Sequence, residues 1–138
     1  FFMLLKYLSK PEQELFLELC NFAANIDNDY SEQEKNYIQE YRQEMTLDED
    51  AYTIKGLEYD EIVKKILEIS TPESIRRIII ELVALLKSDG ILHSQENNLM
   101  AKLQEDFKLS SDILKEIYES LENLENAYAK IFAIVNGN

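Results

Sequence analysis

Oxygen-bearing side chains crowd one short stretch of this chain. Asp27 and Asp29 stand on alternate residues, Ser31 follows, and Glu34 lies one helical turn further on. Carboxylate and hydroxyl oxygens are hard donors, which suit Ca2+ or Mg2+ better than Zn2+, a metal that prefers histidine and cysteine. Asp27-x-Asp29-x-Ser31 opens like an EF-hand loop. That loop needs glycine at its sixth place and a bidentate glutamate at its twelfth. Glu32 and Ile38 stand there instead, which excludes it. The same oxygens can also serve the chain itself. Ser31 and Glu34 have capping-box spacing, and acids at a helix start satisfy free N–H groups and complement the dipole. Helix capping and weak divalent-cation binding both remain open for this turn.

Other chemistry is sparse. His93 is the single histidine and has no cysteine or histidine near it in sequence, so it reads as exposed turn filler. Cys20, the single cysteine, reads as a small core residue, and a lone thiol fits a reducing, intracellular setting. Glu81 interrupts an apolar run and is assigned to an exposed stripe, where Arg77 can pair with it. Tyr37, Tyr41, Tyr118 and Tyr128 read as core edges with hydroxyls to solvent. The three glycines lie far apart, so no glycine-rich phosphate loop exists. There is no nucleophile-elbow sequence and no Glu-x-x-His di-iron signature.

The elements that must position these residues are helices. Residues 74–88 form the stretch around which the rest is organised, since Glu81 is its only polar side chain between Ile78 and Leu86. A helix apolar nearly all round belongs inside a core. Thr71 can cap it, Pro72 suits its first position, and Asp89-Gly90 lies beyond its end. Ile79, Leu82, Val83 and Leu86 are expected to be inaccessible. Upstream, Ser9 and Glu12 frame a capping box for a helix over about 11–25, with Glu14, Glu18, Asn21 and Asn25 as its polar stripe. A second helix runs to about residue 44. A third, over 58–69, buries Tyr59, Ile62, Val63, Ile66 and Leu67. Between them Thr46–Gly56 is irregular, and Gly56 is expected at positive φ. Ser94 opens another helix with Leu99, Met100 and Leu103 inward. Ser110 or Ser111 caps a further one, and a last helix from Leu124 to about Asn136 buries Tyr128, Ile131, Phe132 and Val135. No segment alternates with period two long enough for a strand.

At 138 residues the chain reads as one domain, 1–138, with a core that needs no staples. Its formal charge is −13. Residues 12–61 hold fifteen acids against Lys35, Arg42 and Lys55, a net of −12, which leaves −1 for the rest. Such a chain repels phosphates, so nucleic acid is excluded as a partner and anionic membrane is disfavoured. Basic protein surfaces and metal cations are its natural partners. Phe1–Ser9 is apolar but short and interrupted by Lys6, so it is not read as a signal peptide or a membrane span.

The acidic turn has a second copy. Phe22–Ile38 lies against Leu85–Met100, with Asp27 on Asp89, Gln33 on Gln95, Glu34 on Glu96 and Asn36 on Asn98, and one extra residue before the first Asp. Each copy is a hydrophobic helix, an Asp-led turn and an amphipathic helix, which implies two pseudo-repeated helical hairpins. Lys87-Ser-Asp89-Gly90-Ile-Leu-His-Ser-Gln-Glu96 resembles the Asp-Gly-x-x-x-x-x-Glu turn of the TerB-like family. This is the tellurite-resistance-associated helical domain also found in DjlA-type membrane-anchored co-chaperones. The resemblance implies an all-α, compact bundle of about seven helices and a non-enzymatic, stress-associated binding or scaffold role. It also implies a divalent cation held by acidic turn residues, here Asp27, Asp29, Glu34, Asp89 and Glu96. The copies are not identical, since Asn28 stands where the second has Gly90, and Ile91 where the first has Asp29. The rival expectation is a metal-dependent hydrolase that uses the same acids.

Overall fold

The computed structural model describes residues 4–26, 32–47, 50–87 and 94–137, apart from the side chains of 32–34, 37 and 94–96. Among the described residues a 3-10 turn, Leu5–Tyr7, precedes six helices: α1 Lys10–Asn25, α2 Glu32–Met45, α3 Tyr59–Ile69, α4 Pro72–Leu86, α5 Ser94–Asp106 and α6 Ser111–Val135. Among the described residues there is no strand. The caps follow from sequence. At α1 the Glu12 N–H donates to Ser9 Oγ (3.3 Å) and the Ser9 N–H donates to Glu12 Oε1 (2.9 Å), which closes the capping box. Thr71 accepts from the Ser74 N–H at α4, and Ser110 accepts from the Ile113 N–H at α6.

The centre is shared by two helices rather than held by α4 alone. α1 packs against α2, α3 and α4, while α4 also meets the 3-10 turn and α6. Ile79, Leu82, Val83 and Leu86 of α4 are buried as expected, and so are Phe16, Leu17, Leu19 and Cys20 of α1. Leu99, Met100 and Leu103 of α5 face inward, and Phe107 closes that helix. Gly56 adopts φ +73°, as the irregular stretch required.

Two expectations fail on packing. Leu67 lies on the exposed side of α3, because Ile62, Val63 and Ile66 already fill the stripe that faces α1. The expected break near residue 123 is absent. Glu122-Asn123 carries no glycine or proline, so the helix propagates and α6 is one element of 25 residues. Its C-terminal part then lies beyond the body, and Tyr128, Ile131, Phe132 and Val135 are exposed rather than buried.

One spacing recurs through the structure. The interval that separates Asp27 from Asp89 also separates cap Ser9 from cap Thr71, and buried Phe16, Leu17 and Cys20 from buried Ile78, Ile79 and Leu82. It also relates Ile38, Tyr41 and Met45 to Met100, Leu103 and Phe107, all buried. No extra residue is needed before the first Asp. Helices α2 and α5 end alike too. Thr46 and Lys108 both take φ +56°, and the next residues, Leu47 and Leu109, return N–H bonds to Arg42 and Gln104 carbonyls (2.8 and 2.9 Å). This is a Schellman closure with a non-glycine residue in the left-handed position.

Candidate functional site

Of the five candidate ligands, Asp27, Asp29 and Asp89 lie outside the described residues, as do Ser31 and His93. Glu34 and Glu96 belong to α2 and α5, but their side chains lie outside the described set. The flanks of both turns are described, and they meet. Phe22 and Ile26 from the end of α1, Tyr59 from α3, and Asn98, Leu99 and Lys102 from α5 line one cleft of about 250 Å3. Ile26 precedes Asp27 and Asn98 follows Glu96, so the fold brings the flanks of the two turns to the same cleft.

The chemistry of that cleft is aromatic and cationic. The Lys102 ammonium sits 4.3 Å from the Tyr59 ring centroid, within cation–π range. The Phe22 ring lies 5.7 Å from the Tyr59 ring. The Tyr59 hydroxyl donates to Asp106 Oδ2 at 2.6 Å. Burial, and next that bond to Asp106, push the Tyr59 hydroxyl well above its ordinary range, so it acts as a fixed donor and not as a base.

The buried charges serve the fold. Glu18 was expected on a polar stripe, yet it is 1% exposed. Its carboxylate accepts N–H bonds from Lys55 (2.7 Å), Gly56 (3.0 Å) and Leu57 (3.1 Å) and the Tyr52 O–H. Burial pushes this carboxyl up, but the four donors outweigh it and the net displacement is downward. Three successive N–H groups closing on one oxygen pair form a nest, here turned inward on the protein's own side chain. Glu12 does similar work: besides its cap it accepts from Ser70 Oγ at 2.6 Å, joining the start of α1 to the end of α3. Its carboxyl too is raised by burial and lowered further by its donors. Arg42 is buried, and its Nη1 donates to the Leu47 and Tyr52 carbonyls (3.0 and 2.9 Å), fixing the chain on either side of residues 48 and 49.

Glu81 departs furthest from expectation. It is 0% exposed, not on a solvated stripe, and neither carboxyl oxygen has a hydrogen-bond partner among the described residues. Arg77 does not pair with it. That guanidinium lies over the Tyr7 ring (5.5 Å) and reaches Ser74 Oγ (3.4 Å). Tyr41 was expected to send its hydroxyl to solvent but is buried, donating to the Glu81 backbone carbonyl at 3.3 Å. Burial first, and Glu44 second, push the Glu81 carboxyl up to about 7. One signal in the sequence points to this burial. At the recurring interval Glu81 corresponds to Leu19, a core residue. Nothing local in sequence marks the Glu18 nest, because its donors are backbone groups of a segment without periodicity.

Among the described residues no group of three or more His, Cys, Asp or Glu side chains is placed to hold a metal ion. No helix among them is long and apolar enough to cross a membrane. Compared with known protein families, curated proteins and solved structures, the chain matches none.

Proposed function

We propose that this chain is a non-enzymatic binding or scaffold module of TerB-like, stress-associated type, which docks a basic protein surface on its acidic half. The observation that carries this reading is the sorting of charge. Among the described residues of 12–61 the buried charged side chains, Glu12, Glu18 and Arg42, are engaged in bonds that hold the fold. The acids Glu40, Glu44, Asp50, Glu58, Asp60 and Glu61 are exposed. An acidic surface of this kind steers a cationic partner and sets its orientation. The recurring interval, the shared caps and the matching Schellman ends support two hairpins of one design. On this reading the Asp-led turns between them are a secondary Ca2+ or Mg2+ site. No observation among the described residues favours the hydrolase.

The test is binding to a Lys/Arg-rich peptide over a salt series, in EDTA and in millimolar calcium. Affinity should fall steeply toward 1 M salt, where the screening length is about 3 Å. Glu40→Lys/Glu44→Lys/Asp50→Lys should slow association while leaving the helical spectrum intact. Binding that ignores salt and charge reversal would show that the acidity serves solubility alone. A calcium dependence abolished by Asp27→Asn/Asp29→Asn would support the turn site.

A further inference from the structure

The C-terminal part of α6 is apolar where none of the described residues buries it. Ile131, Phe132, Ile134 and Val135 are 54%, 62%, 72% and 75% exposed. The residues are also patterned. Leu114, Ile117, Leu121, Leu124, Tyr128, Ile131 and Val135 alternate intervals of three and four along α6, which is the a/d spacing of a coiled-coil seam. The first part of that seam is occupied. Ile117 and Leu121 are buried, and with Ile113 and Glu116 they face Arg76 and Ile80 of α4 across a groove of about 340 Å3. From Leu124 onward the same seam continues into solvent.

We propose that a second copy of this chain covers the exposed end, with residues 124–135 of the two copies paired antiparallel about a two-fold axis. Three observations select this occupant. The seam asks for another helix carrying a/d spacing, and the chain itself supplies one. The exposed segment is electrically neutral, since residues 124–135 carry only Glu125 and Lys130, so the contact itself brings no excess negative charge together and only the distant acidic halves repel. The four most exposed side chains offer on the order of 100 Å2 each. Two copies with their flanks thus approach the roughly 1,000 Å2 at which an interface becomes specific.

The orientation follows from what already occupies the seam. In a parallel pair both bodies would compete for the space between the helices, because each covers the a/d face of its own residues 114–121. Antiparallel pairing places each body beyond the other's C-terminal end. It also makes clean layers: Leu124 of one copy meets Val135 of the other, and Tyr128 meets Ile131. The flanking positions then set Glu125 near Phe132 and Ala127 near Ile134, with no like charges opposed. A two-fold pair of this kind closes on itself and does not propagate into filaments.

Sedimentation velocity on the whole chain, from 1 to 200 µM, tests the proposal. Wild type should pass from monomer to dimer with a micromolar midpoint. Salt should strengthen the dimer by screening the repulsion of two −13 chains, opposite in sign to docking of a basic partner. Ile131→Glu and Phe132→Glu change exposed positions and so leave folding intact, which circular dichroism verifies, yet each should shift the midpoint at least tenfold upward. A Val135→Cys chain should not cross-link to itself, whereas it should cross-link to a Leu124→Cys chain. Wild type that stays monomeric at every loading would overturn the proposal and assign the seam to a different protein's helix. Glutamate variants that dimerise like wild type, or efficient Val135→Cys self-cross-linking, would also overturn it.

Discussion

Glu18 and Glu81 sit on neighbouring central helices, α1 and α4, and both are withdrawn from water. Their fates are opposite. Around Glu18 the chain between α2 and α3 wraps four donors, so a buried carboxylate stays charged and becomes the anchor of an irregular segment. Around Glu81 no such set of donors closes: neither carboxyl oxygen has a hydrogen-bond partner among the described residues, Glu44 adds a like charge, and the proton is retained to about pH 7. Burial does not decide what an acid does in a core. The supply of donors does, and unstructured backbone is the richer supply, because its N–H groups are not already bonded within a helix.

The largest expected effect is at Glu18. Glu18→Ala leaves three part-buried N–H groups and the Tyr52 hydroxyl without their acceptor, at a cost of roughly 3–5 kcal/mol. Hydrogen exchange should localise the damage to residues 52–57, while α4 amides keep their protection relative to the lowered global stability. If Glu18→Ala costs under a kilocalorie, the nest is incidental and the contrast between the two acids collapses.

Glu81 should respond in the opposite direction. Its folded-state value of about 7 lies above the ordinary carboxylate value, so the folded chain binds the proton more tightly than the unfolded one. Stability from this group is therefore complete below about pH 4.5 and is lost as pH rises toward 7. A displacement of this size corresponds to about 3 kcal/mol above pH 7. Glu12 and Glu18 run the other way: their values are lowered, so their contribution is present above the ordinary carboxylate range and lost in acid. Wild type should be most stable near pH 5 and weaken on both sides. Glu81→Leu restores the residue type found at Leu19, is close in volume, and should add about 2–3 kcal/mol at pH 8 with little change at pH 4.5. Urea melts across that range check it, and a variant that retains the alkaline decline would move its cause away from Glu81.

The same contrast explains what was legible in the sequence. Caps, helix positions and the apolar faces of α4 and α5 are local matters of spacing, and Ser9, Thr71, Pro72 and Leu103 sit where spacing puts them. Glu18 and Glu81 were both misplaced onto solvated stripes. A single helix's polar stripe cannot reveal that another segment will cover it. Only the long-range interval that matches Glu81 to Leu19 carried that information. The end of α6 failed for the converse reason: its side chains are apolar enough for a core, but the body ends before reaching them. The acidic turns were legible as candidates through Asp27 and Asp89, and their geometry lies outside the described residues.

The smallest expected effect tests whether backbone shape at the nest works for Glu18 in particular. Gly56 holds φ +73°, and a Cβ placed there would meet nothing within 4 Å, so a substitution costs conformation and not space. Gly56→Ala should therefore cost only about 1 kcal/mol. That cost depends on the nest being closed, because the left-handed residue is what turns the Lys55, Gly56 and Leu57 N–H groups toward one carboxylate. In a Glu18→Ala background nothing holds the segment in that shape, and the same substitution should cost almost nothing. In a Glu81→Leu background it should cost its full amount, because Glu81 makes no bond to this segment. Coupling of Gly56 to Glu18 but not to Glu81, read from a double-mutant cycle, would establish that the two acids differ through their donors. Equal costs in all three backgrounds would make Gly56 an independent turn residue and the nest a consequence of the loop, not its cause.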